Sequence, residues 1–427
     1  MSKRIVRAAF VACLLGSAIA LTAPLSPAFA AAKPTGPTVS APVGKLLQPA
    51  SKLMEANDYA GALVLIKQAQ ALPDQTPFDT YKINEFLGNA YIKLSDHVNA
   101  DIAFEAMADS PALADVPAEE RPNTIRIAAL LATEQKHYDK GIKYGLAFNA
   151  LGGAPDTTVL TSMSEAYYYT NDFANAEAMA QKVIAATPAG TAPSRSAMEV
   201  LFGAQLKAKK QDAAMATLEQ IVTFYDDPDE WGQAIDVGLG TKGIKDFEAL
   251  HIYRLRLVTK ATAHSDDYTV PASLALSIGY PVEADAFLNA GAGTIERDAK
   301  SNALVAEARS RAATDRKTID SFAGIAAKAP SGELDLKLAE TYYGYGRFAD
   351  AEAAARRALQ KGGAKANPNE VNMVLGQALL MQGKTADAIA AFNALSNPSP
   401  GAAKSQHLWL LYANRKYGAA AAPAPAH

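Results

Sequence analysis

Apolar positions in this chain recur every three or four residues, in pairs of short segments broken by Gly, Asn or Pro. Between Ile83 and Pro111, Leu87-Gly88 and Tyr91 share one helical face, and Ala100 and Phe104 share another. The same order returns between Asn372 and Pro400 as Leu375-Gly376, Leu379, Gly383, Ala388, Phe392 and Pro400. Leu338-Ala339, Tyr342, Gly346, Phe348 and Ala351 form a third copy. Tyr167, Asn171, Phe173, Ala176 and Pro188 form a fourth. Each copy predicts a helical hairpin. The small residue lets the second helix approach closely, and Gly or Asn ends the first helix in a left-handed cap. Pro closes the unit because it cannot continue a helix.

The small residue serves as a ruler. Ala50, Gly88, Ala129, Ser164, Phe202, Ala272, Ala339 and Gly376 take equivalent positions. Ala50 to Gly88 is 38 residues, and Gly88 to Ala129 is 41. Phe202 to Ala272, at 70, and Ala272 to Ala339, at 67, each hold two units. About ten hairpins are therefore expected from Val43 to Gly401. A last amphipathic helix, Ala403 to Lys416, would cap the stack with His407, Leu408, Trp409 and Leu411. The motif is regular over 44–224 and 331–402 and diverges over 225–330.

These marks resemble the tetratricopeptide repeat family, in particular exported bacterial members of unassigned activity. The resemblance implies an all-α, right-handed solenoid whose first helices line a concave groove. Isolated hairpins of such short helices are marginal, so stacking must supply the core.

Composition changes this picture at the ends. Lys3, Arg4 and Arg7 precede an apolar run from Ala8 to Leu25, followed by Ala28-Phe29-Ala30. That is the pattern of a cleavable secretory leader over 1–30, with cleavage near Ala30 and a periplasmic or secreted product. The only cysteine, Cys13, lies inside it, so the mature chain would have no thiol chemistry and no disulfide. A Pro-rich stretch, 31–43, and an Ala/Pro tail, 418–427, flank the repeats and cannot bury a core. Without Lys3, Arg4 and Arg7, 38 of the 41 basic residues remain against 44 acidic ones, a net charge of −6. Mild acidity without a basic stripe argues against nucleic acid as the partner. No later apolar run is long enough to span a membrane.

Chemistry-bearing motifs are sparse. HExxH, GxxxxGK[ST] and GxSxG are absent. Gly238-Leu-Gly-Thr-Lys-Gly243 spells GxGxxG but follows a helix-like stretch, so it reads as an interhelical connection. The six histidines show no metal-ligand spacing with a nearby carboxylate and read as surface or packing residues. Asp226-Asp227-Pro228-Asp229 reads as a helix start. We therefore expect no catalysis, cofactor or metal.

The groove is what remains. Carried over by register, the resemblance places Asn89, Glu165, Tyr168, Tyr169, Glu340, Tyr343 and Gln377 on the concave face. Tyr342 and Tyr167 fall on packing positions instead. Exposed tyrosines suit a binding hot spot, and the glutamates suit a basic or mixed segment. The expected partner is a protein or peptide segment in the cell envelope. A cell-wall or exported polysaccharide is the alternative.

Overall fold

The computed structural model describes residues 37–415. The leader, Cys13, residues 31–36 of the Pro-rich stretch, Lys416, Tyr417 and the Ala/Pro tail lie outside the described residues. The end of the Pro-rich stretch departs from expectation: Ala41 to Val43 open the first helix, and Val43 is buried in the core. Twenty α-helices and one 3-10 turn occur among the described residues, with no strand. The chain divides into two compact units, 1–214 and 215–427.

In the first unit, successive hairpins are α1 (Ala41–Glu55) with α2 (Tyr59–Gln70), and α3 (Pro77–Lys93) with α4 (His97–Ala108). Next come α5 (Arg121–Glu134) with α6 (Tyr138–Ala150), α7 (Thr157–Tyr169) with α8 (Phe173–Ala185), and then α9 (Arg195–Lys207). Helix α10 (Gln211–Phe224) spans the boundary. The interhelical turns share one design. A single residue, Asn57, Ser95, Lys136 or Asn171, takes a positive φ between 58° and 66°. The next N–H then reaches back to a carbonyl five residues earlier, as Asp58 N does to Leu53 O at 2.8 Å and Asp172 N to Tyr167 O at 2.9 Å. This satisfies a carbonyl that the helix end would orphan. The second helix starts at once, because Asp58, Asp96 and Asp172 accept N–H bonds from Gly61, Asn99 and Asn175.

The first helices touch directly from hairpin to hairpin, α1 on α3, α5 on α7 and α7 on α9. That puts them on the inner side of the stack. Gly88 shows why the repeat needs a small residue. A Cβ there would lie 2.7 Å from the Phe104 ring. The core of this unit forms three clusters, around Val43, Ile66 and Leu87, around Phe104 and Leu131, and around Met163 and Leu201, with the partly buried Tyr91 and Phe148 packed between neighbouring clusters.

The second unit contains α11 (Pro228–Leu239), α12 (Asp246–Val258), α13 (Asp266–Ser277) and α14 (Pro281–Ala290). The 30-residue α15 (Ala299–Lys328) follows. Then come α16 (Glu333–Gly344), α17 (Phe348–Lys361), α18 (Pro368–Met381), α19 (Thr385–Asn393) and α20 (Pro400–Ala413). The expected pair of hairpins between Ala272 and Ala339 is corrected here. One hairpin, α13/α14, is followed by the single helix α15, because Ser301 to Lys328 holds no Gly or Pro break until Gly324, and α15 runs through it. An odd helix shifts the phase of the repeat. The inner layer runs through α12 and α14, second helices of their hairpins, and then through α16 and α18, first helices.

Helix α20 closes this unit. It packs on α18 and α19 at one side and on α11 and α12 at the other. Trp409 and Leu408 are fully buried, and the Trp409 indole N–H donates to His251 O at 2.8 Å. Trp231 of α11 meets Tyr412 edge-on, with ring centres 5.8 Å apart. His407 stays exposed and pairs with Glu219 at 2.9 Å. The helix starts at Pro400, three residues before the expected start, and it packs the end of the second unit against α11 and α12 of the same unit.

Candidate functional site

On the inner side of the first unit, α7 carries Glu165, Tyr168 and Tyr169 together. Tyr169 is 39% exposed and stacks on Tyr138 at the start of α6, centroids 4.8 Å apart and planes 12° from parallel. Tyr168 meets Tyr169 edge-on at 5.6 Å and Phe173 at 5.8 Å. Its ring also lies over Gly203 of α9, where a Cβ would sit 3.0 Å away. Tyr168 therefore packs between neighbouring first helices, while Tyr169 presents a ring to solvent. Glu165 is half-buried beside them, and burial raises its pKa. Burial, with the Tyr169 and Glu165 charges nearby, pushes the Tyr138 hydroxyl up to about 12. Asn89 is half-buried on α3, two hairpins away from this cluster.

The second unit treats its share of the expected groove residues differently. Glu340 and Gln377 are 1% and 0% exposed, and Tyr343 is buried too. None of the three faces an open groove, a correction to the sequence expectation. All three surround Arg254 of α12. Its guanidinium donates to Glu283 of α14 through two bonds, 2.6 and 2.8 Å, and lies 2.7 Å from Glu340 Oε2 on α16. A further N–H donates to Gln377 Oε1 on α18 at 3.0 Å. The Tyr343 ring covers the guanidinium face, with Cζ 4.3 Å from its centroid. Each of α12, α14, α16 and α18 gives a side chain to this hub, and α20 joins it through Trp409 and the His251 carbonyl. Phase decides this placement. The register that leaves Asn89, Glu165 and Tyr168 half-exposed in the first unit points into a closed centre in the second.

The electrostatics follow from burial. Burial, with Arg254 beside it, lowers the His251 pKa to about 3, so the ring is neutral. Burial raises Glu340, and Arg254 opposes that rise. One guanidinium thus faces two carboxyls away from water, the arrangement in which each partner depends on the others. His251 is one of the histidines read as surface or packing residues, and no motif in the sequence marks Arg254. The signal was a histidine and two arginines inside the apolar run Leu250–Val258.

Other expectations are resolved by position. Tyr342 and Tyr167 are buried packing residues. Gly238–Gly243 ends α11 and leads to α12, an interhelical connection. Asp227 starts α11, accepting the Asp229 N–H at 2.9 Å. His137, one of the histidines read as surface or packing residues, is half-exposed and meets two carboxylates of the preceding hairpin, Asp101 and Glu105.

The tetratricopeptide repeat family matches residues 336–403, which span α16 to the start of α20. Residues 336–403 carry tetratricopeptide repeats. Solved structures similar to it include a tetratricopeptide repeat protein from Parabacteroides merdae ATCC 43184. That one is 12% identical, covers 80% of this chain and 100% of its own, and has a TM-score of 0.32. A Rap protein complexed with Competence and Sporulation Factor is 12% identical over 87% of this chain and 98% of its own, with a TM-score of 0.26. The APC/C hetero-tetramer Cut9–Hcn1 is 13% identical over 86% of this chain and 83% of its own, with a TM-score of 0.20. No curated protein matches the chain. No described helix is long and apolar enough to cross a membrane.

Proposed function

We propose that the protein is an exported, non-catalytic scaffold of the bacterial cell envelope, and that the inner face of its first unit captures a segment of another protein. Tetratricopeptide repeats support an interaction role, and the leader pattern of residues 1–30 supports export. The observation that carries the choice of face is the stacked Tyr138–Tyr169 pair beside the half-buried Glu165. A rigid aromatic pair with hydroxyls at its rim is an anchor that loses little entropy on binding. Glu165 adds a preference for a basic or mixed segment. The second unit contributes stability instead, because its equivalent residues are spent on the Arg254 hub.

The test is affinity capture from the envelope fraction with the mature chain, beside Tyr169→Ala and Glu165→Gln. One protein held by the native chain and lost by Tyr169→Ala is the expected result. Equal capture by both forms would remove the inner face of the first unit from consideration. N-terminal sequencing of the envelope form should begin near Ala31, and a retained leader would refute export by cleavage.

A further inference from the structure

Helices α4 and α5–α6 meet along a charged seam. On α4, His97, Asp101 and Glu105 recur every four residues, with Asp109 just beyond. Facing them, Glu134, His137, Lys140 and Lys143 recur every three. The rungs are His97–Glu134 at 2.7 Å, Asp101–His137 at 2.8 Å, Glu105–Lys140 at 2.6 Å and Asp109–Lys143 at 2.6 Å. Glu105 Oε1 also lies 3.6 Å from His137 Nδ1.

The seam has more acceptors than donors. Asp101 is only 1% exposed, its carboxyl is turned onto His137, and its Oδ1 is buried with no hydrogen-bond partner. Glu105 Oε1, on the other side of His137, is likewise buried and unpartnered, as is Glu134 Oε2. Buried carboxylate oxygens without donors are costly in a folded chain. One ligand atom each from Asp101, Glu105 and His137 falls within 4.8 Å of the others. Zinc bonds of 2.0–2.2 Å in tetrahedral geometry need ligand separations of roughly 3.4 Å. The Glu105–His137 separation already meets that. The Asp101–His137 hydrogen bond would open by about 0.6 Å.

We infer that Asp101, Glu105 and His137 form a divalent transition-metal site. Imidazole with two carboxylates suits a zinc-like ion. The metal would replace the Asp101–His137 hydrogen bond and use the unpaired oxygen of Glu105. Lys140, on the other oxygen of Glu105, is placed to hold that carboxylate in orientation, as outer-shell groups do. His137 is half-exposed, so the ion has an entry path and an open position for water. Because Asp101 and Glu105 lie on α4 and His137 lies in the turn between α5 and α6, the ion would clamp two hairpins of the first unit.

The test is calorimetric titration of the full chain with zinc chloride, beside His137→Ala, Glu105→Gln and His97→Ala. Thermal unfolding is followed with and without zinc, and circular dichroism checks that each variant is folded. The expected result is one saturable site per chain and a zinc-dependent rise in melting temperature. His137→Ala and Glu105→Gln should each weaken binding at least tenfold, while His97→Ala, one rung away, should bind as the native chain does. No saturable binding by the native chain would overturn the site. So would native-like binding by a folded His137→Ala chain, or loss in His97→Ala equal to that in His137→Ala.

Discussion

Arg254 holds Glu283 through two parallel N–H···O bonds, 2.6 and 2.8 Å long, at a point where both side chains are buried. The two residues lie on α12 and α14, and the same guanidinium reaches Glu340 on α16 and Gln377 on α18. Four inner helices of the second unit are thereby fixed to one planar group. Arg suits this role because its donors form a rigid fork and its charge is not lost at any ordinary pH. Lysine could not reproduce the geometry.

Removing the guanidinium leaves buried carboxyls without a counter-charge. Arg254→Met should destabilise the second unit by about 3–5 kcal/mol. Converting Glu283 and Glu340 to Leu in the same chain should recover most of that loss, because apolar replacement of a whole buried ion network is often neutral. The two tryptophans, Trp231 and Trp409, both lie in the second unit, so urea unfolding followed by tryptophan fluorescence reads this unit alone. A loss below about 1 kcal/mol in Arg254→Met would show that water reaches the hub.

Acid should weaken the second unit through His251. Its ordinary pKa of 6.5 applies in the unfolded chain, and the folded ring stays neutral down to about 3. Between these values the unfolded state binds more protons, so stability is fully present above about pH 6.5 and falls as pH drops, by up to ~1.4 kcal/mol per pH unit. Glu340 acts in the opposite sense. Its raised pKa makes its contribution fullest in acid and smaller as pH rises. The charged and titratable groups facing His251 are Arg254, Glu283, Glu248 and Glu340. His251→Gln should flatten the decline between pH 6.5 and 5, measured as urea midpoints at the two values. An unchanged slope would show that His251 is not the group responsible.

The repeat's small residue should resist enlargement. A Cβ at Gly376 would fall 2.4 Å from the Phe392 ring, and one at Gly88 would fall 2.7 Å from Phe104. Gly376→Ala should cost about 1–3 kcal/mol from overpacking, despite the better helix propensity of alanine. Combining it with Phe392→Leu should cost less than the sum of the two single changes. Additivity in that cycle would mean the helices separate instead of the ring yielding.

The Tyr138–Tyr169 pair should matter little for folding, because Tyr169 is exposed and Tyr138 only half-buried. The Tyr138–Tyr169 stack is worth about 0.5–1.5 kcal/mol as a coupling energy in a double-mutant cycle with alanine. Tyr169→Ala should therefore remain folded, and its loss of partner capture should be read as loss of contact. A coupling near zero would mean that the two rings do not stack in solution.

The sequence by itself determined the local units. Apolar spacing of three and four marks each helix, Gly or Asn marks many of the turns, and the Gly88–Phe104 and Gly376–Phe392 pairs set how closely two helices of a hairpin approach. All of these act within about 35 residues, so one stretch of chain carries the full instruction. The aromatic face of α7 was legible for the same reason, since helical register alone points Tyr169 away from the core. Tertiary structure decided the rest. His251 and Gln377 are 126 residues apart and meet only because α15 stands alone and shifts the phase of the inner layer. That shift, with closure by α20, turns the register of Glu340, Tyr343 and Gln377 from a groove into a buried centre. The Asp101–Glu105–His137 cluster likewise depends on how one hairpin lies against the next. Periodicity fixes which face of a helix is apolar; it does not fix which polar groups on neighbouring helices will share a desolvated space.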